Sequence, residues 1–216
     1  MIGKNIKAIL FDMDGVITDT DDLHYLVWQE ILKEEGIELT EEMYINHLQS
    51  TSHKKALLSI FDDISEDDIT RISNEKSKRS KALLQKEIKI NQDAIDLIKY
   101  LHQNGYVLAV VSASSNAEFV IKEIKIEAYF DMIISGPGET SIRNKPFPDI
   151  YEYAMEKLGV TPSETVVIED SVSGITAGLR SGAYVFGINR GNLHIEENKE
   201  LKVVNDLHEV IEFFNQ

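Results

Sequence analysis

The sequence predicts an α/β protein, a doubly wound parallel sheet that carries an inserted helical domain. From about residue 91 onward, short apolar runs alternate with helical patterns, as expected for parallel strands joined by helices. One further apolar run, Ile6 to Phe11, stands alone near the start of the chain. Between that run and residue 88 the patterns are helical, which indicates an insertion directly after the first strand.

The same alternation sets the boundaries of the later elements. The apolar runs predict strands at Val107 to Val111, Met132 to Ile134, Thr165 to Ile168, Tyr184 to Ile188 and Leu201 to Val204. Helical spacing predicts helices at about 91–103, 116–125, 148–158, 172–181 and from Asp206, the first of them capped by Asn91. The core domain is therefore assigned to residues 1–17 and 89–216.

The inserted block, residues 18–88, is predicted to be helical throughout, with no strand. Its first helix has a shared apolar face made of Leu23, Leu26, Val27 and Ile31. Three later helix starts are indicated by capping residues at Thr40, Ser52 and Ser65.

Composition excludes several classes of protein. The 216 residues include no cysteine, so disulfides and thiolate metal sites are excluded. The formal net charge of −15 argues against a nucleic-acid partner, because nucleic-acid binding needs a basic surface. No segment resembles a signal-peptide core or a membrane span. We therefore expect a cytoplasmic monomer with no membrane partner.

Two aspartates follow the first predicted strand. Asp12 and Asp14 are two residues apart, so their side chains leave the strand on the same side. The carboxyl end of such a strand is the edge where open α/β sheets bind ligands. Two like charges this close repel each other unless a cation or a proton lies between them. The alternative is an acidic turn without chemical function, which an Asp-Gly pair often forms.

Three further polar groups stand at or between the predicted strand ends: Ser112 to Asn116, Lys145, and Glu169-Asp170. Each has an ordinary explanation as a helix cap, a solvated surface charge or a favourable charge at a helix start. A parallel sheet would nevertheless bring all of them to one edge, beside Asp12 and Asp14. Their combination favours a functional site.

These motifs together resemble those of the haloacid dehalogenase superfamily. Phe11-Asp12-Met13-Asp14-Gly15-Val16, Ser112, Lys145-Pro146 and Glu169-Asp170 are similar to its four motifs in order and approximate spacing. The resemblance implies a Rossmann-like core with residues 18–88 as a small helical cap domain. Within the superfamily, Asp14 to Thr20, followed by His24 and Trp28, is similar to the opening of the β-phosphoglucomutase-like branch of sugar-phosphate enzymes.

The resemblance implies a role for each motif residue. Asp12 would be the nucleophile that attacks phosphorus, and Asp14 would be the general acid and base. Ser112 and Lys145 would bind the phosphoryl oxygens. Mg2+ would be bound by Asp12, the backbone carbonyl of Asp14, Asp170 and, through water, Glu169. The rest of a small phosphorylated metabolite would contact Ala113, Ser114, Asn116, His24, Trp28, Gln49 and His53.

The resemblance leaves two enzymatic activities open, hydrolysis of a sugar or polyol phosphate and isomerisation of β-glucose 1-phosphate and glucose 6-phosphate. The mutases have a Lys, a Gly and an Arg where this chain has Gln49, Ser50 and His53, and a Lys at Ser115. Replacing Arg by His removes a bidentate, permanently charged partner. Because a mutase must bind phosphates at both ends of the sugar, these departures favour hydrolysis.

Other classes of protein with acidic sites fit the sequence less well. A calcium-binding loop starting at Asp12 would need an oxygen ligand at its fifth position, a glycine at its sixth and a glutamate at its twelfth. This chain has Val16, Ile17 and Leu23 at those positions. A receiver-type signalling module also carries a phosphorylated aspartate on a parallel sheet, but it is shorter and has no helical insertion. A dehalogenase would not need Asp14 as an acid. A catalytically inactive binding module stays open, although no motif residue is missing.

Overall fold

The computed structural model describes residues 5–49, 51–86, 88–136, 142–191 and 193–215. The chain divides into two compact units. We call Met1–Asp19 with Lys89–Gln216 the core unit, and Thr20–Ile88 the cap unit. No helix in the described ranges is both long enough and apolar enough to cross a membrane.

The core unit is built on a parallel sheet. Its strands are β1 (Ala8–Phe11), β2 (Thr18–Asp19), β3 (Lys89–Ile90), β4 (Val107–Ser112), β5 (Met132–Ser135), β6 (Thr165–Glu169), β7 (Tyr184–Ile188) and β8 (Leu201–Val204). Six of them form one sheet in the order β5-β4-β1-β6-β7-β8, and every neighbouring pair in it is parallel. The predicted fold class is confirmed.

Strand β1 lies at the centre of this sheet. All four of its residues are fully buried, because a parallel strand covered on both faces must be apolar along its whole length. Leu10 lies opposite Ala109 of β4 on one side and opposite Val167 of β6 on the other. Since the strand order reverses at β1, the carboxyl end of β1 is the position where open α/β sheets bind their ligands.

Strand β2 corrects the prediction that residues 18–88 contain no strand, and its partner β3 follows directly after that range. They form a separate antiparallel pair in which Thr18 lies opposite Ile90 and Asp19 opposite Lys89. Thr18 and Asp19 belong to the core unit. A strand of two residues is too short to show an alternating pattern, which is why the sequence did not indicate it.

The described part of the cap unit consists of helices. They are α1 (Asp21–Glu34), α2 (Glu41–Met43), a π-helical turn (Tyr44–Leu48), α3 (His53–Ile60) and α4 (Glu66–Leu84). The three predicted caps are confirmed. The hydroxyls of Thr40, Ser52 and Ser65 each accept a hydrogen bond from the backbone N–H of the residue three positions later. The helices enclose a hydrophobic core of their own.

One residue of the predicted apolar face of α1 is exposed, and Leu23 is half-buried. Leu26 is 51% exposed, whereas Val27 and Ile31 are buried. The buried face also contains Trp28 and Leu32. The centre of this face is therefore rotated about the helix axis relative to the prediction, and Leu26 is left facing solvent. Helical residues three and four apart share a face, and Leu26 is adjacent in sequence to Val27.

The helices of the core unit follow the predicted pattern to within a few residues. They are α5 (Gln92–Gln103), α6 (Ala117–Glu123), α7 (Asp149–Leu158), α8 (Val172–Arg180) and α9 (His208–Phe214). The predicted side-chain cap at Asn91 is wrong. Asn91 does precede α5, but its side chain makes no capping bond and donates to the carbonyl oxygens of Gly15 and Val16 instead.

Candidate active site

The carboxyl ends of β1, β4 and β6 meet around one ammonium group. Asp12 directly follows β1 and is 8% exposed, and its N–H donates to the carbonyl oxygen of Ile168 at 3.0 Å. Lys145 Nζ lies 2.6 Å from Asp12 Oδ1 and 2.6 Å from Glu169 Oε1. It also donates to the carbonyl oxygen of Val111 at 3.3 Å. The lysine thereby joins the ends of the three central strands.

Glu169 ends β6 with both carboxylate oxygens hydrogen-bonded. Its side chain is fully buried, and besides Lys145 its Oε1 accepts a hydrogen bond from Tyr151 Oη at 2.5 Å. Its Oε2 accepts from the backbone N–H of Asp170 at 3.2 Å and from the Ser171 hydroxyl at 3.4 Å. A carboxylate buried this deeply needs hydrogen-bond partners for its oxygens.

Three carboxylates of this edge could bind a metal ion. One oxygen each of Asp12, Glu169 and Asp170 lie within 4.8 Å of one another. Burial is the main reason that the pKa of Asp12 is raised; Lys145 opposes this rise, and the carboxylates of Glu169 and Asp14 add to it. One ammonium therefore does not neutralise the acidic groups around it. A set of hard oxygen donors with excess negative charge fits Mg2+.

The turn after β1 carries Asp14 against this acidic group. Gly15 has a φ of +79°, and a Cβ atom there would lie 1.8 Å from Asp170 Oδ2. Only glycine tolerates both this backbone conformation and this close approach. Gly15 thus lies against Asp170, and the half-buried Asp14 beside it is close enough to Asp12 to affect the pKa of that carboxyl.

The loop after β4 contains the remaining motif residues of the core unit. Ser112 is 1% exposed, and its hydroxyl accepts the N–H of Ser114 at 3.0 Å. The Ser114 hydroxyl in turn accepts the N–H of Asn116 at 3.2 Å. Asn116 is buried and Ala113 is exposed. The two serines therefore fix the path of the loop between β4 and α6.

The cap residues predicted to bind substrate lie in the other unit, and three of them form a cluster there. His24 and Trp28 are one turn apart on α1, and His53 begins α3. The rings of Trp28 and His53 pack edge to face with centroids 5.7 Å apart. Lys76 of α4 completes this group, which we call the cap cluster. Its Nζ lies 2.9 Å from His24 Nδ1 and 5.8 Å from the centroid of the Trp28 ring.

The cap cluster combines two buried residues with two half-buried histidines, and these surroundings lower the pKa of His53. Trp28 is 2% exposed and Lys76 is 7% exposed. The pKa of His53 is lowered to about 3, mainly by burial and in smaller part by the nearby Lys76 and His24. At neutral pH, His53 therefore supplies no positive charge in the place of an arginine. Gln49 is half-buried after the π-helical turn, and Ser50 lies outside the described residues.

Lys76 and Tyr151 were not among the residues predicted from the sequence. Each is a polar side chain on a buried helix face, which is a feature that could have identified it. The buried face of α4 consists of Ile69, Ile72, Lys76, Ser80 and Leu84. A lysine in the middle of such a face is rare unless it is paired. Tyr151 is fully buried on α7, where a phenolic hydroxyl needs a hydrogen-bond partner.

A doubly wound sheet with aspartates, serine, lysine and acidic pair at its carboxyl edge is the arrangement of the superfamily that the sequence resembles. The chain belongs to the haloacid dehalogenase-like hydrolase family, which it matches over residues 9–188. The resemblance is therefore confirmed.

Relatives of the chain include proteins named as phosphatases and as phosphoglucomutases. A phosphorylated carbohydrates phosphatase of Thermotoga maritima is 24% identical over 220 residues, which cover 95% of this chain and all of that protein. The β-phosphoglucomutase of Bacillus subtilis is 26% identical over 212 residues, or 94% of this chain and 92% of the relative. The crystal structure of β-phosphoglucomutase from Clostridium difficile has a TM-score of 0.86 at 28% identity, covering 97% of this chain and 96% of its own.

Proposed function

We propose that this protein is a Mg2+-dependent phosphatase that hydrolyses a small phosphorylated metabolite, such as a sugar or polyol phosphate, through an aspartyl-phosphate. The observation that carries the proposal is the buried Lys145 ammonium bonded to Asp12 and Glu169, with Asp170 beside them. This arrangement supports the proposal, because a carboxylate that could attack phosphorus, a cation for phosphoryl oxygens and oxygen donors for a metal ion lie at one sheet edge. Phosphoryl transfer depends mainly on such positioning and charge neutralisation.

In the first step, a carboxylate oxygen of Asp12 forms a bond to phosphorus as the bond to the leaving oxygen breaks. Asp14 donates a proton to that oxygen, and Lys145 and Ser112 hold phosphoryl oxygens. In the second step, Asp14 takes a proton from water, which attacks the aspartyl-phosphate and releases inorganic phosphate. Asp12 thereby returns to its starting state.

The metal ligands in this proposal are Asp12, the backbone carbonyl of Asp14, Asp170 and, through water, Glu169. The hydrogen bonds to both oxygens of Glu169 support an indirect contact for this residue. When bound, Mg2+ supplies positive charge that allows an anionic carboxylate to approach an anionic phosphate.

The substrate class rests on the relatives and on the cap cluster. Proteins named for carbohydrate phosphates are similar over nearly the whole chain. We propose that His24, Trp28, Gln49 and His53, together with Lys76, contact the part of the substrate beyond the transferred phosphate, as Ala113, Ser114 and Asn116 do from the core unit. Action in the cytoplasm as a monomer stays a prediction.

A screen of sugar and polyol phosphates for phosphate release, with Mg2+ and after exhaustive chelation, tests the proposal. We expect release only with the metal. Asp12→Asn should abolish both turnover and an acid-stable phosphorylated enzyme, because an amide cannot attack phosphorus. Asp63→Asn, at an exposed position of the cap unit, is the control. Turnover that survives chelation, or that survives in Asp12→Asn, would contradict the assignment.

Isomerisation of a sugar phosphate is the second candidate, and Lys76 favours it. The departures at Gln49, His53 and Ser115 remove cations, but Lys76 leaves a buried cation within the cap cluster. The ratio of glucose 6-phosphate to free phosphate formed from β-glucose 1-phosphate, with a bisphosphate primer present, separates the two activities. We expect phosphate to dominate; faster isomerisation than phosphate release would make the protein a mutase.

A further inference from the structure

An arginine outside the acidic cluster contacts the turn that carries Asp14. Arg190 lies just after β7, and its Nη1 and Nη2 atoms are each 2.9 Å from an oxygen of Asp93. The same guanidinium donates through Nε to the carbonyl oxygen of Gly15 at 3.3 Å and through Nη2 to that of Val16 at 3.4 Å. One side chain thus connects a fixed carboxylate to the two residues after Asp14.

Asn91 contacts the same segment of backbone. Its Nδ2 donates to the carbonyl oxygens of Gly15 and Val16 at 3.3 and 3.0 Å. Its backbone N–H donates to the carbonyl oxygen of Ile17 at 3.0 Å. Three consecutive carbonyl groups therefore accept hydrogen bonds from Asn91, and Arg190 shares two of them. This accounts for the side chain of Asn91, which would otherwise have capped α5.

Asp93 provides a rigid base for the arginine. It is 7% exposed in the first turn of α5, and it accepts the N–H groups of Ala94 at 2.9 Å and Leu207 at 3.0 Å. Burial opposes ionisation, but the hydrogen bonds from Arg190 and from these N–H groups outweigh it, so the pKa of Asp93 is lowered. A carboxylate with four hydrogen bonds has little freedom to move and holds the guanidinium in one orientation.

The turn itself is closed by three backbone hydrogen bonds and by one from the Thr18 hydroxyl to Met13 O at 3.4 Å. Gly15 N–H donates to Thr18 O at 2.7 Å, and the N–H groups of Ile17 and Thr18 donate to Met13 O at 2.8 and 3.0 Å. These bonds set the shape of the turn. Its outward carbonyls at positions 15 and 16 are the groups that Arg190 and Asn91 contact, so these two side chains fix the turn relative to α5 and β7.

We propose that Arg190 is a positioning residue that, together with Asp93 and Asn91, holds Asp14 in place for proton transfer. This inference rests on the proposed function, in which Asp14 is the general acid and base. A Cβ atom at position 15 would lie 1.8 Å from Asp170 Oδ2. The turn therefore lies against the acidic cluster, and a shift of the turn would move Asp14 relative to that cluster. A displacement of about 1 Å can reduce a rate by about 100-fold.

The kinetic test compares Arg190→Met and Arg190→Lys on β-glucose 1-phosphate and p-nitrophenyl phosphate. The sugar leaving group needs a proton and p-nitrophenolate needs little, so misplacing Asp14 should affect only the first ester strongly. For Arg190→Met we expect kcat/KM to fall by up to about 100-fold on the sugar phosphate and by no more than about threefold on the aryl ester. Asp14→Asn should show the same selectivity and a larger loss.

Arg190→Lys should recover part of the loss. Lysine retains the charge toward Asp93 but lacks the planar fork that reaches the carboxylate and the carbonyls together. Arg79→Met is the matched control. Arg79 makes a comparable bidentate pair with Glu34, at 2.8 Å for both bonds, and its side chain is 26% exposed against 32% for Arg190. It should leave both esters unaffected.

Hydrogen–deuterium exchange of the peptide that covers residues 12–18 gives a readout that needs no activity. We expect faster exchange of the amides of Gly15, Ile17 and Thr18 in Arg190→Met and no change in Arg79→Met. If Arg190→Met does not fold, Arg190→Lys is measured in the same two ways. Unchanged exchange, or an equal loss on the two esters, would overturn the inference. If the unmodified protein releases no phosphate, the proposed function fails, and the exchange result decides the anchoring role by itself.

Discussion

Each of the two units contains a buried lysine, and the surroundings of the two lysines differ. In the core unit, Lys145 lies 2.6 Å from both Asp12 and Glu169, so carboxylates compensate its charge. In the cap unit, Lys76 contacts the imidazole of His24 and faces the ring of Trp28. Both are less than a tenth exposed.

This difference separates two uses of a buried cation. Removing one partner of a buried ion pair leaves an uncompensated charge, which is strongly destabilising. Replacing Lys76 would remove its hydrogen bond to His24 and its contact with the Trp28 ring, which are weaker interactions than the two ion pairs of Lys145. We therefore expect Lys145 to serve both stability and catalysis, and Lys76 to serve mainly the binding of an anionic substrate.

The largest effect should follow Lys145→Met. Asp12 and Glu169 would face each other without a cation, so the free energy of unfolding should fall by about 3–5 kcal/mol. Phosphate release should also fall to the level of Asp12→Asn, because the phosphoryl oxygens lose their cation. Thermal unfolding and the phosphate-release assay measure the two effects. A variant that unfolds at the temperature of the unmodified protein would show that the ion pair contributes nothing to stability.

Lys76→Met should have the opposite balance. Methionine retains an apolar stem beside Ile69 and Ile72 on the buried face of α4, so the unfolding temperature should fall less than in Lys145→Met. Loss of one charge-assisted contact of about 1.5–3 kcal/mol should raise KM for a sugar phosphate by about 10–150-fold, with less effect on p-nitrophenyl phosphate. The control is Lys78→Met, because Lys78 is on the same helix and its side chain is 79% exposed. An unchanged KM would remove Lys76 from substrate binding.

The sequence was sufficient where a pattern is local. The strands β4, β6 and β7 are apolar runs long enough to recognise, and the motif residues at their ends are consecutive or two apart. The pair β2 and β3 was missed because four residues are too few to show a periodic pattern. Leu26 was wrongly assigned to the buried face of α1 because including or omitting one apolar residue rotates the predicted face. Local patterns specify elements but not their exact orientation.

Residues whose role depends on distant partners could not be predicted in the same way. Tyr151 and Glu169 are 18 positions apart, and Arg190 and Gly15 are 175 positions apart. No spacing rule connects such pairs until the sheet is assembled. Asn91 is an example. Its position before α5 predicted a helix cap, but its side chain donates to the carbonyl oxygens of Gly15 and Val16 instead.

The smallest expected effects concern two histidines, one in each unit. His53 in the cap unit has its pKa lowered from 6.5 to about 3, mainly by burial. Between these values the unfolded chain binds a proton at this position and the folded chain does not. The stability of the folded state should therefore fall as the pH is lowered from 6.5 toward 3. His53→Gln should make the unfolding temperature less sensitive to pH in this range.

His208 in the core unit should act in the opposite sense. Hydrogen bonds to Asp96 and Asp206 raise its pKa above 6.5, so the folded chain retains a proton that the unfolded chain releases. Its contribution is present below pH 6.5 and is lost as the pH rises through the folded-state pKa. Unfolding temperatures of His53→Gln and His208→Gln, recorded from pH 5 to 8, distinguish the two. His53→Gln should raise stability toward the acidic end relative to the unmodified protein, and His208→Gln should lower it there. Shifts of the same sign would mean that burial in the cap unit does not keep His53 neutral.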